Sequence, residues 1–299
     1  MLRVFLDVIL PVVLVAVAGG VVGRRLGLDV APFSAAVFNL FNPCLVFTLI
    51  AGIELDAGDV GRVVAVGVAV FASNVGLAQA WSRLRGDDAR TVAGLSLASA
   101  VANQGNLGLP ISRLALGGAG LEIAVVTFVT GVVLWTTAGV AAASVGRGGG
   151  LRQVLVAPFR YPAVYAALAG TVVNVANVRL PVLVEESVGT LADASIPCML
   201  LVLGLQLHLP SRGDLVDPVV ASVNRLLVGP LLAAPFAALI GLDGVPWKAV
   251  VIAAGMPTAV MVTVVAQQLD AHPELGVRSV MVSTVASIVT LTVLIALVT

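Results

Sequence analysis

The stretch Asn103-Gln-Gly-Asn-Leu-Gly-Leu-Pro110 places three side-chain amides, two glycines and a proline inside a segment that is otherwise apolar enough to cross a membrane. Proline removes a backbone donor and clashes with the preceding turn, and glycine raises the entropic cost of forming a helix. Non-helical backbone at membrane depth occurs only where it is buried in protein or lines an aqueous cavity. The pattern therefore predicts a broken helix at a binding site. Its candidate binding residues are Asn103, Gln104, Gly105, Asn106, Gly108 and Pro110.

A second break is predicted in a later apolar segment, at Gly255-Met-Pro257. Each break divides a helix into halves whose ends meet near the middle of the bilayer. The amino-terminal ends carry unpaired N–H donors and partial positive charge, which suit a carboxylate, whereas the carboxyl-terminal ends present carbonyls, which suit a cation. We expect Pro110 and Pro257 to be the first residues of the second halves, where a missing N–H costs nothing. The candidate residues of the second break are Gly255, Met256, Pro257 and Thr258.

The composition is that of a protein that crosses a membrane many times. Of the 299 residues, 59% are hydrophobic and only 11% are charged, whereas soluble domains carry about 25% charged residues. The formal net charge is zero, so no basic surface for nucleic acid is expected. Cys44 and Cys198 lie in apolar runs and indicate neither a disulfide nor a metal site.

Hydropathy divides the chain into ten spans of about 20 residues each, which predicts an all-α polytopic membrane protein. The predicted spans are Val4–Val22, Ala31–Ile53, Val60–Trp81, Val92–Leu116, Leu121–Val145, Tyr161–Val178, Ser187–Leu207, Val216–Ile240, Trp247–Leu269 and Leu275–Val298. With the N-terminus outside, ten arginines fall on the inner side and five basic residues on the outer side. By the positive-inside rule we expect a multi-pass inner-membrane protein with both termini on the outer, periplasmic side.

The two halves of the chain follow one plan. Asn42-Pro-Cys-Leu45 is similar to Ile196-Pro-Cys-Met199, and Gly108-Leu-Pro110 is similar to Gly255-Met-Pro257. Five spans per half is an odd number, so the second half must enter the membrane inverted relative to the first, as in several secondary transporters. The predicted organisation is a 5+5 inverted repeat. It has a first repeat at 1–145, a cytoplasmic linker at 146–160 and a second repeat at 161–299.

Several motifs resemble the auxin efflux carrier (PIN-type) family, which belongs with the bile-acid/sodium symporter group. They are Asn42-Pro-Cys-Leu-Val-Phe47, Ala102-Asn-Gln-Gly-Asn-Leu-Gly-Leu-Pro110, Asn224-Arg-Leu-Leu-Val-Gly-Pro230 and Ala254-Gly-Met-Pro257. The run from Trp247 to Leu297 is also similar to the family's closing two helices, so the resemblance covers nearly the whole chain. It implies ten helices, a scaffold domain, and a transport domain that contains two crossed, proline-broken helices in spans four and nine.

The resemblance also implies transport of an organic anion, which is auxin in plants and often malate, malonate or a similar acid in bacterial members. Asn103 matches the asparagine that binds the substrate carboxylate in plant members, Pro110 and Pro257 match the crossover prolines, and Arg225 matches an arginine of span eight. Two features depart from the plant carriers. The long cytoplasmic loop is replaced by Gly146–Arg160, and Asn103-Gln-Gly-Asn106 replaces a less polar stretch, which favours a substrate smaller than auxin.

Other functional classes fit the sequence less well. A cation (sodium/proton) antiporter on the same plan is the alternative, but it would be expected to hold a carboxylate near a break. No Asp or Glu lies between Asp88 and Glu122 or between Asp243 and Asp270. An enzyme would need a nucleophile–base pair or metal ligands within the membrane, and the two histidines lie at span ends, so no enzyme is predicted. The sequence does not distinguish a carrier from a non-transporting receptor or a channel.

We therefore expect a secondary carrier that moves a small mono- or dicarboxylate by alternating access. Asn103, Gln104 and Asn106 would bind the polar head of the anion, and the helix-end amides would neutralise its charge. The residues expected to line the rest of the pocket are Thr258, Asn42, Pro43 and Pro197. For Arg225, pairing with a carbonyl or snorkelling to the inner surface is as consistent with the sequence as a substrate role. No cofactor is expected, although the opposing carbonyl ends leave room for a sodium ion with no assigned ligands. The expected partners are the anion and the lipid bilayer, and a homodimer through the scaffold domain is compatible with the sequence.

Overall fold

The computed structural model describes residues 1–145, 151–206 and 213–299. Over these residues the chain is helical, and its strand-like pairing is limited to one isolated bridge between Ala102 and Thr258. The helices are α1 Leu2–Leu26, α2 Val30–Ala51, α3 Ala57–Arg85, α4 Ala89–Ala100, α5 Leu109–Val145, α6 Leu151–Val156, α7 Pro162–Val175, α8 Val182–Gln206, α9 Val216–Leu239, α10 Gly244–Ala254, α11 Met261–Gln268 and α12 Pro273–Val298.

Parts of the predicted inner side lie outside the described residues. They are residues 146–150 of the predicted linker, Leu207 at the predicted end of span seven, and His208. The rest of the linker is helical, because α6 continues into a 3₁₀ turn at Ala157–Arg160.

The helices have the length and composition of membrane spans. Seven segments in the described part of the chain are long and apolar enough to cross a bilayer, and α7 and α10 are shorter apolar helices. Two of the ten predicted spans are interrupted, and each consists of one helical piece before and one after a non-helical stretch. This is why α4, α10 and α11 are short. These features make the chain an all-helical, polytopic membrane protein.

Four π-helical turns occur in the described residues, and each ends two residues before a proline. The turns are Phe5–Ile9, Val37–Phe41, Gln104–Gly108 and Asn224–Val228, and the prolines are Pro11, Pro43, Pro110 and Pro230. A proline ring clashes with the carbonyl four residues earlier and cannot donate to it. A π-helical turn changes the hydrogen-bonding register at this point, so the helix axis continues past the proline.

Helix ends on the loops follow local sequence signals. Asp29, Asp56 and Asp88 precede α2, α3 and α4 and accept hydrogen bonds from the backbone N–H groups of the first turns, at 2.7–3.0 Å, as N-cap residues do. The pKa of the Asp88 carboxyl is lowered because it accepts hydrogen bonds from Thr91. Between predicted spans four and five, α5 is divided into two helices at Gly117, whose non-helical φ of 70° and ψ of −155° are readily adopted by glycine.

The helices pack in two sets. α1, α2, α7 and α8 contact one another most extensively, and α3, α4, α5 and α9–α12 form the second set. Between the sets the contact is mostly apolar and includes Val12 and Ala16 of α1 together with Ile111 of α5 and Met256. A polar contact also bridges them, since the Asn106 Nδ2 atom lies 3.4 Å from Gln206 Oε1 of α8.

Within the first set, α1 and α8 approach so closely that their backbones touch. A Cβ atom at Gly204 of α8 would lie 1.7 Å from the carbonyl oxygen of Ala16, and one at Gly19 of α1 would lie 2.6 Å from the carbonyl oxygen of Leu201. Small residues permit this kind of contact between membrane helices. The two helices therefore form a tightly packed pair.

Gly204→Ala is expected to destabilise the protein by about 1–3 kcal/mol, because the added methyl group meets backbone atoms that cannot move away independently. The measurement is the melting temperature of the purified protein. Gly189→Ala in the same helix is the matched control, since a Cβ atom there meets nothing within 4 Å. An equal effect of the two substitutions would contradict the close packing of α1 and α8.

Candidate functional site

The two helix breaks lie against each other and pair through their main chains. The N–H of Asn103 donates to the carbonyl of Pro257 at 2.7 Å, and the N–H of Ala259 donates to the carbonyl of Val101 at 2.9 Å. These bonds flank the antiparallel bridge between Ala102 and Thr258. Each break thus supplies hydrogen-bond partners that the other lost when its helix ended, which satisfies the requirement for paired backbone groups within a membrane.

Pro110 and Pro257 do not occupy the positions that were predicted for them at the starts of the second half-helices. The second half of the first interrupted span begins at Gln104, so Pro110 lies inside this half rather than at its first residue. The second half of the other interrupted span begins at Met261, and Pro257 lies in the extended break before it. The prediction that both prolines start helices was wrong. The π-helical turn accommodates Pro110, and the carbonyl of Pro257 serves the main-chain pairing.

Arg225 lies at the carboxyl-terminal ends of both first halves. Its Nε atom donates to the carbonyl of Met256 at 3.0 Å, and its two terminal nitrogens donate to the carbonyls of Ala254 at 3.2 Å and Ala100 at 3.4 Å. The residue is 2% exposed and forms no ion pair with a carboxylate of the described residues. The sequence analysis gave two alternatives to a substrate role for Arg225, which were pairing with a carbonyl and snorkelling to the inner surface. In the structure Arg225 pairs with carbonyls and does not snorkel.

The energetics favour a charged and fixed Arg225. A buried charge carries a desolvation penalty of several kcal/mol, whereas hydrogen bonds to charged groups contribute about 1.5–3 kcal/mol each. Helix carboxyl-terminal ends also carry partial negative charge, which attracts a cation. Three carbonyls from two such ends therefore offset much of the penalty, and they leave two of the five N–H groups of the guanidinium for other partners.

Neighbouring residues hold Arg225 in this place. Asn224 Nδ2 donates to the carbonyl of Asn74 at 2.9 Å, which ties the π-helical turn of α9 to α3. Gly229 lets α9 approach the end of α10, since a Cβ atom there would lie 2.6 Å from the carbonyl oxygen of Ala254. The motif Asn224-Arg-Leu-Leu-Val-Gly-Pro230 thus has a local structural explanation at its asparagine, arginine, glycine and proline.

Thr258 also forms hydrogen bonds at the helix ends. Its Oγ1 atom donates to the carbonyl of Ala98 at 2.8 Å, and its backbone N–H donates to Ser283 Oγ at 3.0 Å. The side chain is fully buried. Thr258 therefore joins α4 to the second break and to α12.

The three amides of the first break have different surroundings. Gln104 is half-buried and lines a cavity. Asn103 and Asn106 are each 4% exposed, and Asn103 Nδ2 and Asn106 Oδ1 have no hydrogen-bond partner among the described residues. Buried polar atoms are nearly always paired, so each such atom needs an explanation. Both lie at the break next to Gln104, although neither of them lines the cavity that Gln104 lines.

The cavity beside the breaks has a volume of about 70 Å³. Its polar lining comes from Gln104, Arg225 and Thr127, and its apolar lining includes Phe128 and Trp135. A second, larger cavity of about 790 Å³ shares Phe71, Ala100, Val101 and Trp135 with it. The larger cavity extends along α3 and α4 to Asp87 and Ala89. The larger cavity therefore lies next to the smaller one and reaches the Arg83–Arg90 end of the molecule.

The cavity wall contributed by α5 was missed by the sequence analysis. Thr127, Phe128, Gly131 and Trp135 line the cavity opposite Gln104, and a Cβ atom at Gly131 would lie 2.7 Å from Gln104 Oε1. These residues belong to an ordinary apolar span, so their types gave no signal. The spacing of residues 127, 128, 131 and 135, which fits one helical face, was the available clue.

Three of the sequence-level candidates lie in the other set of helices. Asn42 is buried and Pro43 half-buried in α2, whereas Pro197 is exposed on α8. None of them lines either of the two cavities. At the breaks themselves, Gly105, Gly108, Gly255 and Met256 are buried, and Gly108 packs next to Met256.

Comparisons with known proteins find membrane transporters. A family model described as membrane transport protein matches residues 150–295. An uncharacterised transporter of Methanothermobacter thermautotrophicus is 29% identical over 275 residues, which is 91% of this chain and 89% of the relative. An uncharacterised transporter of Methanocaldococcus jannaschii is 25% identical over 65% of each chain.

A plant protein is similar over a shorter region. Auxin efflux carrier component 2 of Oryza sativa is 28% identical over 124 residues, which is 39% of this chain and 20% of the rice protein. The matched family is one of membrane transporters, and the resemblance read from the break motifs is confirmed. This chain is therefore similar to membrane transport proteins, among them an auxin efflux carrier.

Proposed function

We propose that this protein is a secondary transporter of a small organic anion, a mono- or dicarboxylate, which binds where the two interrupted helices cross. The observation that carries the proposal is the cavity beside the paired breaks, whose wall contains the guanidinium of Arg225 and the amide of Gln104. An ionisable residue buried at membrane depth is by default a functional candidate. Here its charge is positive, which favours an anion.

The electrostatics of the cavity support an anion over a cation. Arg225 has no carboxylate partner in the described parts of the chain, and its carbonyl partners carry only partial charges. The first turn of the half-helix that begins at Gln104 adds N–H donors and partial positive charge. A carboxylate entering the cavity would meet donors and positive potential together.

The unpartnered amide atoms fit a ligand that both accepts and donates hydrogen bonds. Asn103 Nδ2 is a donor without an acceptor, and it is the atom that a carboxylate oxygen would pair with. The amide of Gln104 lines the cavity from the same turn. Asn103 and Gln104 are therefore assigned as binding residues, with Arg225 supplying charge.

The transport movement is assigned to the boundary between the two sets of helices. We assign α1, α2, α7 and α8 to a scaffold domain and the remaining spans, which contain both breaks, to a transport domain. The mostly apolar boundary between these domains, which the Asn106–Gln206 hydrogen bond crosses, makes relative sliding inexpensive. Alternating access would follow when the transport domain carries the breaks from one side of the membrane to the other.

The ten-span arrangement is part of this proposal. Six long uninterrupted helices, two interrupted spans, α7 and the part of α5 after Gly117 together give ten crossings, arranged as two five-span repeats of opposite orientation. The arginine distribution places the Arg83–Arg90 end in the cytoplasm and both termini outside the cell membrane. In this orientation the 790 Å³ cavity opens inward.

Asn103→Ala is expected to abolish anion binding while leaving the stability of the ligand-free protein nearly unchanged. Removing a buried amide whose Nδ2 atom is unpartnered forfeits little, whereas it removes the donor to the carboxylate. The measurement is the melting temperature of purified protein against a panel of mono- and dicarboxylates. A ligand at 100 times its Kd should stabilise the wild type by about 2.7 kcal/mol and the variant much less.

Ser112→Ala is the control for this experiment. Its hydroxyl is also buried and unpartnered, but it lies within the second half of the same interrupted span, nine residues after Asn103, and not at the break. It should keep the wild-type response to the acid. If no acid stabilises the wild type, and pH or sodium does so instead, the anion proposal is wrong and the cation antiporter takes its place.

Gly131→Ala is expected to weaken anion binding by about tenfold, or about 1.4 kcal/mol. The added methyl group would lie 2.7 Å from Gln104 Oε1 and must push this amide out of its position in the cavity. The measurement is the Kd of the stabilising acid. Gly118→Ala in the same helix is the control, because a Cβ atom there meets nothing within 4 Å. Unchanged affinity in Gly131→Ala would remove Gln104 from the site.

A further inference from the structure

The resemblance to sodium symporters raises the question of whether this protein could hold a sodium ion at the carboxyl-terminal ends of its broken helices. Such a site would need oxygen ligands at these ends, and the described residues contain no group of three or more His, Cys, Asp or Glu side chains that could hold a metal. The backbone carbonyls are thus the ligands to consider.

The carbonyls at the end of α4 already have partners from other parts of the chain. Ala98 accepts from Thr258 Oγ1, Ala100 accepts from Arg225, and Val101 accepts from the N–H of Ala259. All of these donors belong to the second repeat. The end of α4 is thus capped by protein donors.

The end of α10 is capped in the same way. The carbonyls of Ala254 and Met256 accept from Arg225, and the carbonyl of Pro257 accepts from the N–H of Asn103. A single guanidinium therefore bridges the ends of both first halves. Its planar fork of donors is suited to several oxygen acceptors at once, which a compact ammonium group is not.

Charge excludes a second cation from the same place. A sodium ion at these carbonyls would lie beside the full positive charge of Arg225, with no carboxylate of the described residues paired to that arginine. Like charges at short range in a poorly solvated interior repel strongly. The residues present do not fit a sodium ion.

We propose that Arg225 is a built-in cation that takes the place of a transported or structural sodium ion, so that the crossed helices of this protein are held together without sodium. Arg225 acts here as a positioning residue, because it fixes both helix ends around the cavity. The inference concerns a cation and helix ends, so it does not depend on which anion is bound, or on whether one is.

The first experiment uses the full-length wild-type protein. Its melting temperature is measured in sodium chloride and in N-methylglucamine chloride at equal ionic strength, over a titration of sodium. We expect no saturable sodium effect. A saturable rise in the melting temperature with sodium would overturn the inference, whatever the acid panel shows.

The second experiment uses Arg225→Ala, which opens a space lined by the three carbonyls. We expect a lower melting temperature than the wild type, and guanidinium chloride at non-denaturing, low-millimolar concentration should restore most of the loss in a saturable manner. Free guanidinium supplies the same donors and charge. Choline chloride at the same concentration should have no such effect, because it has no N–H donors.

Arg113→Ala is the matched control, since Arg113 is an exposed arginine of α5. It should melt like the wild type and show no rescue by guanidinium. A folded Arg225→Ala protein that guanidinium does not stabilise would contradict the inference. If Arg225→Ala yields no folded protein, the sodium titration of the wild type decides the question alone.

Discussion

A buried guanidinium joins two helix ends that carry partial charge of the same sign. The carboxyl-terminal ends of α4 and α10 point at one region within the membrane, and their carbonyls would repel each other without a cation between them. Arg225 donates to carbonyls from both ends. That contact holds the ends of the two first halves together and places Arg225 in the wall of the cavity beside them.

The same region shows how an interrupted helix can persist in a bilayer. Each break exposes backbone groups that lipid cannot satisfy. Here the main chains of residues 101–103 and 257–259 pair with each other, and Thr258 and Arg225 take up further carbonyls. Most of the backbone requirement is therefore met within the protein. The side-chain atoms Asn103 Nδ2 and Asn106 Oδ1 still lack a hydrogen-bond partner among the described residues.

The two sets of helices differ in how they are held. Close backbone contact makes α1 and α8 a rigid pair, and ion pairs join elements within the second set at one end of the molecule, as between Arg85 and Asp217 and between Arg90 and Asp270. The boundary between the sets lacks such ion pairs in the described residues and is mostly apolar. A fold with strong contacts inside each set and weaker ones between them is suited to the relative movement that a transporter needs.

The sequence by itself determined the membrane class, the two breaks and the family likeness. Long apolar segments without charge are stable only within a lipid bilayer. Amides, glycines and prolines in such segments indicate a helix break whatever the tertiary contacts are. These are local properties, so the residues of Asn103–Pro110 and Gly255–Thr258 could be identified without coordinates. The part of the site contributed by Thr127, Gly131 and Trp135 could not be, because each is an ordinary residue of an apolar helix.

The tertiary structure decided what each of these residues contacts. It placed the start of the half-helix at Gln104 rather than Pro110, because a π-helical turn can accommodate the proline. It also put Asn42, Pro43 and Pro197 away from the cavities and directed Arg225 to carbonyls of α4 and α10. Residues 100, 225 and 254 are far apart in the chain, and only the packing of α4, α9 and α10 brings a donor and its acceptors together. The sequence specifies which groups need partners within the membrane, whereas the fold selects the partners, because pairing depends on distances that the order of residues does not contain.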